Sequence, residues 1–232
     1  MSDKLIQAEV ESITPLTDSI LQIILAPAEY IDYQAGQYLQ IISQQDALSY
    51  SIANAPLGSH KYELHIRHHR DNPNNQPLLA EIKNKGEVTL RVPLGECNLS
   101  KLDPQKPIIF IAGGTGFAPI KAMIEQLLAN GAPPVFELFW GARAKNELYM
   151  DDKVSYWQNH VRHFHYFSQC SDTHQGTLAA LVIKKHPDDL REWQIVISGP
   201  FDMVYNMRDK LIAKGALRNQ LFSDAFSFEG GA

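Results

Sequence analysis

The sequence holds only two cysteines in 232 residues, Cys97 and Cys170, and they do not form a C-x-x-C pair. That spacing excludes a four-thiolate zinc or iron–sulfur site and the dense disulfide framework of a small secreted domain. Long apolar runs are missing too, since none reaches the roughly 18 residues of a membrane-spanning helix. The opening segment MSDKLIQAEVESITP alternates polar and apolar residues and contains no apolar signal core. A soluble cytoplasmic protein is the expectation. Nor is there an excess of positive charge: 21 Lys and Arg against 26 Asp and Glu leave a net charge of −5. No nucleic-acid partner is expected, because such a surface needs a basic face or stripe. With 44% hydrophobic and 20% charged residues, the composition lies outside the disordered range and supplies one large core or two small ones.

The first hundred residues read as short strands. Leu5, Ala8 and Val10, then 20–25 and 38–42, are β-favouring runs broken by Pro15, Pro27 and Gly36, and 62–67 and 88–92 alternate apolar with polar. This pattern predicts an antiparallel barrel or sandwich. One helix is expected in this half, over 77–84, with Pro77 in its first turn. After the polar, proline-bearing stretch at 101–107 the pattern changes. Apolar runs at 108–112, 135–140, 163–167, 195–198 and 221–225 alternate with helix candidates at 118–130, 146–160, 177–186 and 202–214. Such alternation predicts a parallel sheet covered by helices on both faces. The expected architecture is an α+β chain of two domains: an antiparallel β-barrel over 1–100, a linker, and a Rossmann-like α/β domain over 108–232.

The segment IIFIAGGTGFAP carries the most chemical information. A buried strand runs into Gly113, Gly114, Thr115, Gly116 and Phe117, and Pro119 then stands in the first turn of a helix. Glycines allow a sharp turn and close ligand approach, and the helix N-terminus beyond them suits a pyrophosphate. The loop lacks the G-K-[ST] of a Walker loop, and Ala118–Pro119 replace the third glycine of G-x-G-x-x-G. A plain strand-to-helix turn is the alternative reading of the loop alone.

Taken in order, AGQY (35–38), SYSIAN (49–54), LHIR (64–67), VPLGE (92–96), AGGTGFAP (112–119), WGAR (140–143), SGP (198–200) and DAFSF (224–228) resemble the ferredoxin–NADP reductase superfamily. The likeness is strongest to its small NAD(P)H:flavin oxidoreductase branch. The resemblance implies a flavin-binding barrel before a pyridine-nucleotide domain, with hydride passing from NADH or NADPH to riboflavin, FMN or FAD. It also implies that Ser51 hydrogen-bonds flavin N5, that Tyr38, Tyr50 and Ile52 lie beside the ring, and that His65, Ile66 and Arg67 line its other edge. Gly113, Gly114, Thr115, Gly116, Phe117 and Pro119 would form the pyrophosphate loop, with Ser198, Gly199 and Pro200 at the nicotinamide. Asp224 would come near the flavin and Phe226 or Phe228 would shield the ring, an ordinary last strand with apolar packing being the alternative. Arg143 could meet a 2′-phosphate, or stand as a solvated strand-end charge. The segment at 167–172 lacks a basic residue, so NADH use is expected, with NADPH also accepted.

Other clusters do not suggest chemistry. His65, His68 and His69 divide between two strand faces and read as strand surface rather than metal ligands. Asp151–Asp152 and Asp188–Asp189 read as capping or solvated pairs. The chief departure from the family pattern is Leu48, which stands where tightly binding relatives carry a phosphate-pairing arginine. Loss of that contact, worth about 1.5–3 kcal/mol, weakens binding roughly tenfold to a hundredfold. The expectation is a dissociable flavin whose reduced form leaves for a monooxygenase or iron. One alternative keeps the flavin bound and passes electrons to an iron–sulfur or haem partner; another is a non-catalytic flavin- or nucleotide-binding subunit. Protein mixed with FMN and passed through gel filtration should emerge colourless, whereas a stoichiometric yellow protein would contradict the dissociable reading.

Overall fold

The computed structural model describes residues 3–43, 46–68, 75–131, 133–173 and 175–229, with backbone alone at 75–77. Six strands form the first sheet: β1 (Lys4–Thr17), β2 (Ile20–Pro27), β3 (Tyr38–Ile42), β4 (Ala47–Ser51), β5 (Tyr62–Arg67) and β6 (Glu87–Leu94). Their order is β4-β3-β6-β1-β2-β5 and every pairing is antiparallel. An antiparallel bridge between Ile52 and Leu64 joins the two edge strands and closes the sheet into a barrel. Inward-facing Ile6, Leu25, Leu39, Leu64, Ile66 and Leu90 fill it, and Leu78, Leu79 and Ile82 of α1 (Asn75–Lys85) pack onto that core. Closure removes the exposed sheet edges that would otherwise invite pairing with other chains.

Pro15 does not break a strand as the sequence suggests. It lies inside β1, which keeps β2 as partner through Thr17 but pairs with β6 only as far as Glu9. Beyond Glu9 one edge of β1 has no strand partner, and a proline is tolerated on such an edge.

The second sheet is wholly parallel, in the order β11-β10-β7-β8-β9. It consists of β7 (Ile108–Gly113), β8 (Phe136–Ala142), β9 (Phe164–Cys170), β10 (Gln194–Ser198) and β11 (Leu221–Phe222). Residues of β7 alternate between two cores. Ile108, Phe110 and Ala112 meet α2 (Phe117–Ala129) and α3 (Asp151–His160), while Ile109 and Ile111 meet α4 (Leu178–Lys185) and α5 (Phe201–Ile212). A strand buried on both faces must be continuously apolar, which is why these runs do not alternate. Gly131 closes α2 at φ +84°, its N–H donating to the Leu128 carbonyl at 3.1 Å, a left-handed stop that suits glycine.

Two elements differ from the sequence expectation. The second helix begins at Asp151 rather than Asn146, because Leu148 and Tyr149 leave the helical path to enter the core beneath β8. The run at 221–225 is a strand only at Leu221–Phe222. Ser223 Oγ then accepts the Ala225 N–H and turns the chain into a 3-10 segment, Asp224–Phe228. Among the described residues no helix is long and apolar enough to cross a membrane.

Far from the cleft, His186 is 4% exposed between Glu137 of β8 and Asp189. Its Nε2 is 2.9 Å from Glu137 Oε2 and its Nδ1 3.1 Å from Asp189 Oδ1, and Trp193 Nε1 donates to Asp189 Oδ2. Asp189, read in sequence as a capping or solvated charge, is half-exposed and also pairs with His186. Burial opposes the imidazolium, but the hydrogen bond and charge of Glu137, with Asp189 added, raise the His186 pKa above its ordinary 6.5. A raised folded-state value adds stability that is complete below about pH 6.5 and disappears as pH climbs through the folded pKa. Urea midpoints should therefore fall between pH 6 and pH 8.5, and His186→Gln should flatten that slope.

Candidate functional site

In the parallel sheet β7 lies at the switch point: the chain runs outward through β8 and β9, then returns to β10 on the other side of β7. Loops leaving the carboxyl ends of two such strands diverge and leave a crevice where open α/β sheets take ligands. Here they are the glycine loop after β7 and Ser198–Pro200 after β10, and they touch. A Cβ built on Gly116 would stand 2.2 Å from the Ser198 carbonyl oxygen and 2.7 Å from the Gly199 nitrogen. Only glycine allows this approach. Trp140 Nε1 donates to the Gly114 carbonyl at 3.0 Å and fixes the loop from below.

Two cavities open along the line between barrel and parallel sheet. The larger, about 830 Å³, runs over the carboxyl ends of β7, β8 and β9. Its walls include Gly113–Gly116, Ala118, Arg67, Arg143, Gln169, Thr177 and Met203. The smaller, about 400 Å³, is walled by Tyr38, Pro119, Met123, Phe201, Asp224 and Phe228. Ser49, Tyr50, Ser51, Ser198 and Gly199 border both. Arg143, Arg67 with its Glu147 partner, and an N-terminus of α2 without a side-chain cap face the larger cavity, a setting in which the helix end and Arg143 suit the phosphates of a dinucleotide. Among the described residues no Lys, Arg or His lines the smaller cavity, whose aromatic and aliphatic walls suit a flat, uncharged ring. Leu48 instead packs against the barrel core.

Most residues singled out in the sequence meet at this line, but four do not. Ile52 and Ile66 are interior barrel residues. Phe117 is fully buried and stacks on Trp140, with ring centres 4.0 Å apart. Phe226 packs with the α4–α5 core, the Arg218 guanidinium 4.4 Å above its ring, and Phe228 borders the cavity in its place. Asp224 joins the two halves: its Oδ1 accepts the N–H groups of Glu96 and Cys97, both at 2.9 Å. Burial raises the Asp224 pKa above the ordinary carboxylate range, and those two amides only partly offset it.

His65 overturns its reading as ordinary strand surface. On β5, Leu64 and Ile66 face the barrel core, and Glu63, His65 and Arg67 face the second sheet and its helices. His65 is 5% exposed, with Nε2 2.8 Å from Glu63 Oε1 and Nδ1 3.0 Å from the Tyr149 hydroxyl. Burial lowers its pKa despite the opposing pull of Glu63. A neutral ring donates to Glu63 and accepts from Tyr149, whose own pKa burial drives well above 10. Arg67 and Glu147 form a two-pronged pair, each contact 3.2 Å. Burial works against the Glu147 carboxylate, but the hydrogen bond and charge of Arg67 keep its pKa below the ordinary value.

Sequence reasoning missed Glu63, Lys121, Glu125, Glu147 and Tyr149. The only local signal was the Lys121–Glu125 pair at i,i+4 in an otherwise apolar stretch of α2. Among the described residues, no three His, Cys, Asp or Glu side chains converge as a metal site. Gly116→Ala must push the two cleft loops apart, and an overpacking cost of about 1–3 kcal/mol is expected. Thermal unfolding should show it, and an unchanged midpoint would mean that the loops are not packed this tightly.

With this geometry in place, comparison with known proteins identifies the fold. Residues 110–209 match the oxidoreductase NAD-binding domain. The chain is 32% identical over 214 residues to the CDP-6-deoxy-L-threo-D-glycero-4-hexulose-3-dehydrase reductase of Yersinia pestis, covering 90% of this chain but only 64% of that relative's length. It is 26% identical to an NAD(P)H-flavin reductase of Vibrio harveyi, over 96% of this chain and 99% of the relative. A ferredoxin NADP+ reductase from Neisseria gonorrhoeae, solved with bound FAD and NADP, superposes with a TM-score of 0.75 at 15% identity, covering 96% of this chain and 98% of that structure.

Proposed function

From a chain with the ferredoxin–NADP reductase-like fold and an oxidoreductase NAD-binding domain at residues 110–209, we propose an NAD(P)H-dependent flavin reductase acting on a dissociable flavin. Its flavin substrate is riboflavin, FMN or FAD, and NADH is the expected donor, with NADPH as the alternative. The observation that carries this reading is the meeting of two chemically distinct cavities at Ser51 and Ser198–Gly199. A charged nucleotide entering from one side and a neutral ring from the other come together there. The near full-length likeness to the Vibrio flavin reductase supports the same activity. Residues 1–100 are assigned to the flavin, 101–107 to a linker and 108–232 to the nucleotide.

When both ligands are bound, the nicotinamide supplies a hydride and flavin N5 accepts it. The protein's part is positioning, because two flat rings held face to face need no strong acid. Ser51 ends β4 opposite Tyr38 of β3, and its hydroxyl is assigned as donor to the acceptor atom. Tyr50 and Tyr38 hold the ring's flank. The glycine loop holds the pyrophosphate and Arg143 the adenosine end, while Arg67, expected beside the flavin, borders the larger cavity instead, and Ser198–Gly199 leave room for the nicotinamide. Phe228, stacked on Phe201 at 5.6 Å between ring centres, borders the smaller cavity.

The reduced flavin then serves a monooxygenase or iron. The rival in which flavin stays bound and electrons pass to an iron–sulfur or haem partner has the Yersinia relative in its favour, since about a third of that protein lies outside the match. Leu48 and the absence of a cation among the described residues of the smaller cavity favour the dissociable reading. Two unpaired cysteines fit a reducing compartment, and the cytoplasm is the proposed location. Absorbance at 340 nm should fall when NADH and free flavin are both present. Ser51→Ala should slow that oxidation about tenfold to a thousandfold, by analogy with loss of one oxyanion donor, without shifting thermal unfolding. If no pairing of nicotinamide nucleotide and flavin supports oxidation, the enzyme reading fails.

A further inference from the structure

The barrel and the nucleotide unit meet through a buried ammonium group. Lys121, one turn into α2, is 3% exposed in a helix face otherwise made of Phe117, Ala118, Ile120, Met123 and Ile124. A buried charge persists only when its partners satisfy it. The Lys121 Nζ has three: the Ala53 carbonyl at 2.9 Å, Glu63 Oε2 at 3.0 Å and Glu125 Oε1 at 3.1 Å. Two of these belong to the barrel. Ala53 comes two residues after Ser51, and Glu63 comes two before His65. Between them runs the Ile52–Leu64 bridge that closes the barrel.

The contacts continue on both sides of the ammonium. Glu63 Oε1 accepts from Gln22 Nε2 of β2 at 2.7 Å and lies 2.8 Å from His65 Nε2. His65 reaches Tyr149 of the nucleotide unit. Glu125 accepts the Ala55 N–H at 3.3 Å and pairs with Lys153 of α3 at 2.8 Å. The amides of Ala53 and Glu63 are held in turn by the Glu63 carbonyl and Asn54 Oδ1. The wall bearing Ser51 and the helix that starts at the glycine loop are thereby tied beside the Ile52–Leu64 bridge. An apolar contact would allow sliding, whereas three directed hydrogen bonds to a point charge fix distance and angle together.

We propose that Lys121 is a positioning residue for hydride transfer, holding the Ser51 wall of the barrel at a fixed separation from the glycine loop. The proposal rests on the reductase reading for its consequence, but the tie itself is a property of the ligand-free protein. Lys121 touches neither ligand; it acts through the backbone after Ser51 and through Glu63.

The test uses the whole chain as Lys121→Met and as Lys121→Met/Glu63→Gln, the double variant removing a carboxylate that the single one leaves buried with fewer partners. In ligand-free protein, amide hydrogen exchange at Ala53, Ala55 and Glu63 should quicken at least tenfold while exchange in β7 and β10 stays unchanged. In single-turnover mixing at saturating NADH and FMN, flavin reduction should slow at least tenfold. The dissociation constant for NAD+ should stay within twofold, and the primary deuterium isotope effect with 4-deuterated NADH should increase. Lys121→Arg, which keeps the charge, should recover part of the exchange protection and part of the rate. Unchanged exchange at the three amides would overturn the tie. Faster exchange with an unchanged single-turnover rate would overturn the positioning role and leave a purely structural lysine. Absence of flavin-dependent oxidation in the unmodified protein would instead overturn the reductase reading, with the exchange arm still deciding the tie.

Discussion

The outer face of β5 is the constraint on which the arrangement depends. A strand puts alternate residues on opposite faces, and here both faces are enclosed. One fills the barrel with Leu64 and Ile66. The other carries Glu63, His65 and Arg67, each meeting a different polar group of the nucleotide unit: Lys121, Tyr149 and Glu147. With Asp224 clamping Glu96 and Cys97 at the far end, these contacts determine where the barrel sits over the parallel sheet. The cleft is the space they leave.

Charge at this joint is arranged so that each buried group has an answer. Burial alone would raise the Glu63 pKa, but the hydrogen bond from His65 and the charge of Lys121 hold it well below the ordinary carboxylate value. The joint therefore contributes stability above the unfolded carboxylate pKa and loses it only as pH falls toward the folded value. Nothing comparable holds the smaller cavity: its described walls carry one carboxylate, Asp224, and no cation. Anion-binding character is concentrated on the nucleotide side, around the α2 N-terminus and Arg143. That asymmetry is the physical basis of the proposed separation of a charged donor from a neutral ring acceptor.

Much of the fold was legible in sequence because it rests on short-range rules. Continuous apolar runs at β7 and β8 gave away a sheet buried on both faces, and Gly131 marked the end of α2 through a backbone angle that few other residues adopt. The errors came where tertiary context overrode a local rule. Pro15 was tolerated because one edge of β1 lacks a strand partner. The 221–225 run lost its strand character when Ser223 capped a turn. Phe117 and Phe226, adjacent to functional loops in sequence, were turned into the core by packing.

By itself the sequence determined the two-part architecture and the glycine loop, because turns, periodicity and steric permission are local. It also determined that no positive charge stands at Leu48. Only the tertiary structure decided which polar residues meet. Lys121 and Glu63 lie 58 positions apart, and nothing in either segment announces the other. Their pairing follows from the closure of the barrel and its docking onto α2, and such long-range contacts depend on the whole fold. In the same way, Gly116 reads as a ligand-binding glycine in sequence, while in the fold its missing Cβ lets two loops touch at the Ser198 carbonyl.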